Sequence, residues 1–534
     1  MDDHREGTGA LFAAHAAARI VDFLYRILIV RAVGAAAVGA LGVIGSLYGL
    51  LVTLASAGIP AAVTNLTAEK AAKGDRVGLE RTLSLSFLIT GGLGVLLAGG
   101  LMIASKPTAR LLFHDPSLHL PILALAPAVA IVPVSGVYRG YLQGRHFTYP
   151  TAQARLVEAI AQTAFGLSAL TLAASLPLVS ATTILACAIT VGEAAGLVSV
   201  YASFQRVHGH TRHPPQRRGD PHVVGSGVKE VERLVGQHLG SHRGAVDGRE
   251  GPARLRDDLG TMSRFAWAST SVRLVAMASG VISAAMIPAL LRAAGHPPDR
   301  ALALYGQLGG MAGQIAFFPA TLVWAFTFNL TPALSACRTR GDTRSAPRLV
   351  EDSLYQAWML ALPAAACTFL LAEPLCRFAF GTSEAALLLA TLAVVAPLVT
   401  IDQVMTASLH GWSEPGLAFR NFAIGEVINL GLTYLLVPRL GLAGAAVAIG
   451  IGTLIEALWD WLTLAGLLGR RPSLRRPASR AGLPAAVSGL GAYLVHRIAA
   501  PALGNSPATV LALVTAAVAV LAWTRPRASR LRKA

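Results

Sequence analysis

The chain has 534 residues, of which 54% are apolar and only 14% are charged, and its mean hydropathy is +0.56. A soluble protein of this length needs far more charged surface, so the composition excludes one and indicates a protein that crosses a membrane repeatedly. The net charge of +17 does not indicate a nucleic-acid partner. The basic residues lie mostly in loops between apolar blocks, where they suit membrane topology and anionic lipid head groups.

The apolar blocks are long enough to cross a bilayer as helices. We predict an all-α polytopic membrane protein of about fourteen spans, at residues 11–30, 38–60, 83–103, 119–138, 156–175, 180–203, 266–290, 303–328, 352–372, 384–408, 421–437, 442–466, 481–499 and 506–523. Basic clusters fall in every second loop and in the C-terminal tail. The positive-inside rule therefore places both termini in the cytoplasm of a bacterial cell.

The first span carries a polar stripe. His15, Arg19, Asp22 and Arg26 are spaced four, three and four residues apart, so they share one face of a helix whose other residues are nearly all apolar. A charge at the bilayer centre costs about 3 kcal/mol on insertion scales. Two arginines on one face therefore indicate a water-filled cavity that attracts anions.

Residues 204–261 differ from the rest of the chain, because they are rich in Gly, His, Arg and Asp and show no apolar periodicity. We predict a cytoplasmic hydrophilic linker, disordered, that binds no specific metal since its histidines are irregularly spaced. The predicted domains are an N-terminal six-helix bundle (1–203), the linker, a C-terminal six-helix bundle (262–470), and two additional helices with a basic tail (471–534).

Short motifs recur in the same order on both sides of the linker. The matched segments are Arg31-Ala-Val-Gly34 and Arg292-Ala-Ala-Gly295, then Gly74-Asp75 and Gly341-Asp342, then Leu142-Gln-Gly144 with Pro150 and Glu158, and Leu409-His-Gly411 with Pro415 and Glu426. Together they predict a duplication of six spans. Six is an even number, so the two bundles form a parallel repeat about an axis normal to the membrane, with a central cavity between them.

Several segments resemble the stage V sporulation protein B group of polysaccharide-biosynthesis membrane proteins, within the multidrug/oligosaccharidyl-lipid/polysaccharide exporter superfamily. These segments are Phe23-Leu-Tyr-Arg26 with Arg31-Ala-Val-Gly34, Leu47-Tyr-Gly-Leu-Leu51, Leu54-Ala-Ser-Ala-Gly-Ile-Pro60, Tyr138-Arg-Gly-Tyr-Leu-Gln-Gly144 and Leu330-Thr-Pro-Ala-Leu334. The resemblance covers about residues 8–203 and 262–523. It implies two six-helix bundles, two further helices, and flipping of lipid-linked saccharides of the undecaprenyl pyrophosphate type.

Arginine suits a pyrophosphate because its planar guanidinium donates several hydrogen bonds and stays charged. Our candidates for substrate binding are Arg19 and Arg26 in the first span, and Arg273 and Arg264 in and before the seventh. The resemblance implies such a role for arginines in the first helix of each half. Pairing with Asp22 inside the stripe is the structural alternative.

Four further residues are candidates for ion coupling or for structural roles, namely His15, Asp22, Glu158 and Glu426. Buried carboxylates can carry protons or Na+ in transporters, but Glu158 can equally pair with Arg155. Glu193, Asp402, Glu456 and Asp460 receive no role.

The sequence contains no nucleotide-binding loop, catalytic triad or metal-ligand cluster, so we expect no enzyme activity, cofactor or metal. The expected function is transport of a lipid-linked saccharide for polysaccharide, peptidoglycan or spore-cortex synthesis. A cation-coupled multidrug antiporter of the same superfamily is one alternative. The other is a non-transporting membrane scaffold that recruits cell-wall synthesis enzymes.

Overall fold

The computed structural model describes residues 2–172, 178–212 and 252–531, and the side chains of residues 20–171, 179–207 and 270–523 apart from 324–326, 328 and 329. Within these ranges the regular secondary structure is helical throughout. The first half contains α1 (Asp2–Ser56), α2 (Ile59–Lys73), α3 (Arg76–Pro107), α4 (His119–Gly144), α5 (Tyr149–Leu172) and α6 (Leu178–Arg212).

The second half contains α7 (Pro252–Ala293), α8 (Pro298–Gly306), α9 (Gly313–Ala316), α10 (Phe318–Thr339), α11 (Ala346–Leu370), α12 (Ala372–Phe380), α13 (Ala386–Gly411), α14 (Pro415–Leu440) and α15 (Leu442–Leu468). Two more helices follow, α16 (Arg475–Leu503) and α17 (Asn505–Leu531). Helices α6 and α7 both extend into the predicted 204–261 linker, while residues 213–251 lie outside the described residues. The predicted domain boundaries therefore stay a prediction.

Ten helical segments of the described chain are long and apolar enough to cross a membrane. The first of them, Ile20–Lys73, covers the predicted span 38–60 and the second half of the predicted span 11–30, and α1 breaks between the two at Gly34 with φ 79° and ψ 173°. The predicted spans at 156–175, 303–328 and 481–499 fall mainly on helices as well, in α5, α8 to α10 and α16. The architecture is thus the predicted all-α polytopic one and is consistent with fourteen spans.

The parallel repeat is visible in the turns that join the helices. Residues with positive φ occur in pairs that are 267 residues apart: Gly74 with Gly341, His114 with Gly381, and His146 with Ser413. Each pair ends the same helix of the two bundles, so the left-handed turn that stops the helix was kept in both copies.

The Gly-Asp motif explains one of these turns. Asp75 accepts a hydrogen bond from the backbone of Gly78 at 2.8 Å, and Asp342 accepts one from the backbone of Ser345 at 3.0 Å. Each carboxylate thus caps the turn that leads into the next helix. Hydrogen bonds from Ser345 lower the pKa of the exposed Asp342 carboxyl.

The N-terminal bundle (α1–α6) and the C-terminal bundle (α7–α15) pack through α1 against α7 and α8. Helices α16 and α17 pack on α11 and α12 at the outside of the C-terminal bundle. We call the end of the bundles with turns 74–75 and 340–345 the basic end. The end with turns 113–118 and 294–297 is the opposite end. Two cavities between the bundles and a groove beside them form the candidate site.

Candidate functional site: two cavities between the bundles and an apolar groove

The central cavity lies between the two bundles and has a volume of about 600 Å³. Its N-terminal wall includes Asp22 and Arg26 of α1, two members of the predicted polar stripe. Its C-terminal wall includes Glu426 and polar groups of α7 and α9, among them Ser283 and Gln314. This volume is in the range of ligand-binding pockets, about 300–1,000 Å³. The structure therefore places three of the predicted site residues around one polar space.

Glu426 is held by neighbours in this cavity. Ser279 of α7 donates a hydrogen bond to its Oε2 at 2.5 Å, and Asn429 donates to the same atom at 3.3 Å. Helices α7 and α14 are thus joined at the cavity wall through a carboxylate.

A second cavity, which we call the basic pocket, lies nearer the basic end and measures about 390 Å³. Arg139 of α4, Arg155 of α5 and Arg273 of α7 line it, together with Gln143 and Thr270. Arg273 precedes Ser279 by six residues on α7, which is about 9 Å along a helix. Two of the arginines predicted to bind substrate therefore lie at two depths, Arg26 in the central cavity and Arg273 in the basic pocket.

Two of the basic-pocket arginines share one carboxylate. Arg139 Nη2 lies 2.7 Å from Glu158 Oε2, and Arg155 Nη1 lies 2.6 Å from Glu158 Oε1. The side chains of Arg139 and Glu158 are each only 12% exposed. The carboxylate of Asp22 also attracts Arg155, which connects this cluster to the stripe on α1.

The C-terminal bundle holds carboxylates in a different setting. Asp402 of α13 lies beside Glu456, and Asp460 follows one turn later on α15. Asp460 accepts hydrogen bonds from Asn421 Nδ2 and Thr406 Oγ1, both at 2.8 Å. Within the described part of the chain, no arginine, lysine or histidine forms an ion pair with these three acids.

The structure corrects one equivalence between the two halves. The motif order pairs Glu158 with Glu426, but the 267-residue spacing of the turns aligns Glu158 with Gly425. Packing agrees, since Gly192 lies against Gln162 in the first bundle and Gly452 lies against Asn429 in the second. The sequence comparison is therefore wrong by one residue, which is enough to move a side chain to another helix face.

The two bundles also differ in which helix supplies the buried glutamate. A Cβ at Gly196 of α6 would lie 3.2 Å from the Cβ of Glu158 on α5. In the second bundle, a Cβ at Gly425 of α14 would lie 3.0 Å from the Cβ of Glu456 on α15. A glutamate fills the same space between corresponding helices, but it is paired with arginines in one bundle and lies among acids in the other.

The third space is an apolar groove of about 500 Å³, formed by α1, α10, α11, α12 and α17. Its lining is almost entirely apolar, for example Leu375 and Ala516. Phe23 and Phe318 line both the groove and the central cavity, and their ring centroids are 4.8 Å apart. This aromatic pair is the shared wall between a cavity that contains charged side chains and an apolar groove.

Three predicted site residues, His15, Arg19 and Arg264, lie outside the described side chains. Sequence reasoning did not select Arg139, Glu193, Asp402, Glu456 or Asp460 for roles. Glu193 accepts a hydrogen bond from the Tyr48 hydroxyl at 3.4 Å, within the same bundle as Glu158. Single acids inside apolar spans are the signal that could have found the acidic members, because burying a lone charge in a membrane protein is costly.

Two repeated helical bundles around a central cavity are the architecture of secondary transporters. Solved structures agree on the fold. The lipid II flippase MurJ in an inward closed conformation covers 98% of this chain and 99% of its own, with a TM-score of 0.67 at 14% identity. A multidrug resistance MATE family transporter of the MOP superfamily, in an inward-facing conformation, covers 84% of this chain and 94% of its own, with a TM-score of 0.63 at 16% identity. The chain has the fold of this superfamily.

Sequence comparison adds the particular group. Residues 5–218 match the family model described as polysaccharide biosynthesis protein. Stage V sporulation protein B of Bacillus subtilis (strain 168) is 25% identical over 469 residues, which are 87% of this chain and 84% of the relative. Lipid II flippase MurJ of the same organism is 25% identical over 492 residues, 86% of this chain and 82% of the relative. The resemblance to the stage V sporulation protein B group is thereby confirmed.

Proposed function

We propose that this protein flips a lipid-linked saccharide precursor across the bacterial cytoplasmic membrane by alternating access. One observation carries the proposal: a cavity whose lining includes Arg26 and other polar side chains shares an aromatic wall, Phe23 and Phe318, with an almost wholly apolar groove. A lipid-linked saccharide needs both environments at once, because its charged head must be kept from hydrocarbon while its tail stays in it.

The chemistry of each space fits one part of such a substrate. Guanidinium groups bind pyrophosphate oxygens through several charge-assisted hydrogen bonds. The serine, threonine, asparagine and glutamine side chains of the central cavity can bond sugar hydroxyls. The groove takes the first isoprene units of the undecaprenyl tail, and the rest of the tail remains in the bilayer.

Because the arginines lie at two depths, we can propose the order in which the head group meets them. With both termini in the cytoplasm, the basic end faces the cytoplasm. The head group then meets Arg273 in the basic pocket before it reaches Arg26 in the central cavity. Arg264 precedes Arg273 on α7 and Arg19 precedes Arg26 on α1, and both are proposed to contact the head group on its way. Asp22, Glu158, Glu426 and His15 are the proposed ion-coupling or structural residues.

The relatives include a lipid II flippase and a probable low-salt glycan biosynthesis flippase of Haloferax volcanii, and this supports the proposed substrate class. Peptidoglycan or spore-cortex precursors are thus reasonable substrates. The cell-wall synthesis enzymes that consume the precursor on the outer side are the proposed partners. The proposed role is transport, with no chemical step at the site.

The test is reconstitution in vesicles with a labelled undecaprenyl pyrophosphate-linked saccharide. We expect Arg26→Ala and Arg273→Ala to lower the initial flipping rate by about tenfold or more, the loss typical of a charge-assisted contact of ~1.4 kcal/mol or above. Arg26→Lys should recover part of the rate, because it keeps the charge but loses the guanidinium plane. Arg377→Ala is the matched control, since Arg377 is 57% exposed and pairs with Glu373 on its own helix. Full flipping by both cavity variants would refute the proposed site.

The unpaired acids of the C-terminal bundle favour one alternative, a cation-coupled drug antiporter. That reading predicts that Asp460→Asn abolishes drug efflux in cells, with no effect of Arg26→Ala. The scaffold alternative is tested by deleting residues 213–251, which leaves α6 and α7 intact. A scaffold should lose function in cells, whereas a flippase should keep its activity in vesicles.

A further inference from the structure

The two bundles meet at the opposite end through a seam of backbone contacts. Gly39 of α1 and Gly306 of α8 are 267 residues apart, so they occupy the same position in the repeat. A Cβ at Gly39 would lie 2.9 Å from Gly306 N, and a Cβ at Gly306 would lie 2.8 Å from Gly39 N. The axis that relates the bundles therefore passes through this pair, and the opposite end is closed there.

Arg31 reaches across from the first bundle to the second beside this seam. Its Nε donates a hydrogen bond to the carbonyl oxygen of Ala379 at 2.7 Å, and its Nη2 donates to that of Phe378. Both carbonyls belong to the last turn of α12, where backbone oxygens have no partner within the helix. A positive charge there is also favoured by the helix dipole.

Arg292 makes the reverse connection, from the second bundle to the first. Its Nη2 donates a hydrogen bond to the carbonyl oxygen of Phe113 at 3.2 Å. Phe113 follows the π-helical turn Thr108–Leu112 that extends α3. Phe113 and Phe380, the last residue of α12, are again 267 residues apart. Each arginine therefore binds the end of the corresponding helix in the other bundle.

The repeated Arg-x-x-Gly motif builds these contacts. Gly34 and Gly295 follow the two arginines by three residues and adopt φ of 79° and 96°. The positive φ ends each helix one turn after the arginine, so that its side chain lies at the rim of the bundle. The Arg-x-x-Gly motif, which reveals the duplication in the sequence, thus builds contacts between the bundles that are separate from the lining of the cavities.

We infer that Arg31 and Arg292 are a symmetric pair of latches that hold the exterior gate closed around the Gly39–Gly306 seam. Opening the central cavity to the exterior separates the bundles at this end and breaks both connections. Their acceptors are neutral backbone carbonyls, so water can replace the lost hydrogen bonds at small cost once the bundles separate. The latch is weak enough to open in every transport cycle. It rests on the alternating access of the proposed function, but not on the identity of the substrate.

A single-cysteine reporter tests the latch. Gly309 lines the central cavity, and a Cβ there has no atom within 4 Å, so Gly309→Cys fits without strain. The four native cysteines (Cys187, Cys337, Cys367 and Cys376) are replaced by alanine. The labelling rate with a membrane-impermeant maleimide, added to intact cells, then measures how often the exterior gate opens.

We expect Arg31→Ala and Arg292→Ala each to raise the labelling rate about threefold, and the double variant about tenfold, as for the loss of weak, half-exposed charged contacts. Arg31→Lys should give an intermediate rate because it keeps the charge with fewer donors. The matched control is Arg300→Ala, which removes a cation at the same end whose partner, Glu384 at 3.4 Å, lies in its own bundle.

Labelling of both latch variants at the rate of Arg300→Ala would overturn the inference. An equal increase in all three would also overturn it, since it would indicate a general effect of charge at this end. Folding is checked by an unchanged elution profile in detergent, and Arg31→Lys keeps the test valid if an alanine variant is unstable. The readout needs no substrate, so a failed flipping assay and a failed latch are separate results.

Discussion

The buried ion pair of Glu158 can be compared with an exposed ion pair that has the same nitrogen–oxygen distance. Arg139 and Glu158 are 2.7 Å apart and each is 12% exposed, whereas Arg377 and Glu373 are also 2.7 Å apart but are 57% and 58% exposed. Breaking a buried pair costs about 3–5 kcal/mol, because one charge is left without a partner. An exposed i,i+4 pair contributes only about 0.3–0.5 kcal/mol.

We therefore expect Glu158→Gln to lower the free energy of unfolding by about 2–3 kcal/mol, below the full range because glutamine still accepts a hydrogen bond and Arg155 is half-exposed. Glu373→Gln should change it by less than about 0.5 kcal/mol. The assay is equilibrium unfolding of the purified protein in mixed micelles. Similar values for the two variants would refute the argument from burial. A stable Glu158→Gln that no longer flips would instead indicate that the carboxylate takes part in ion coupling.

Two more predictions concern the C-terminal bundle and the groove. Asn421→Leu removes the amide that donates to the buried Asp460 and should destabilise the protein by about 1–3 kcal/mol in the same unfolding assay, and an unchanged free energy of unfolding would contradict this. Ala516→Trp should fill the apolar groove and slow flipping by about tenfold, or ~1.4 kcal/mol. Val514→Trp on the same helix is the control, because Val514 is 53% exposed on the outside. Equal rates for the two tryptophan variants would exclude the groove as the site of the lipid tail.

The course of the helices could be predicted from the sequence, because runs of apolar residues and helix-breaking glycines are local signals. The Gly74 and Gly341 turns follow directly from such signals, since a positive φ favours glycine. The stripe on α1 is also local. Helical periodicity places Asp22 and Arg26 on one face, and both line the central cavity in the structure.

The partners of each face could not be predicted, because periodicity fixes the direction of a side chain but not the helix that it meets. Arg26 and Arg273 were both candidates for substrate binding, but only the structure shows that Arg273 lies in the basic pocket with Arg139 and Arg155. The equivalence of Glu158 with Glu426 was wrong by one residue, because it matched like residue types, whereas the turns show the register.

By itself, then, the sequence determined a duplicated set of membrane helices with an arginine-bearing face, because these features depend on spacing along one chain. Only the tertiary structure decided how the charges are shared. It placed two arginines on Glu158, set Asp402 beside Glu456, and joined the polar cavity to the apolar groove. These arrangements depend on which helices pack together, and packing is decided by shape and burial across hundreds of residues rather than by local pattern.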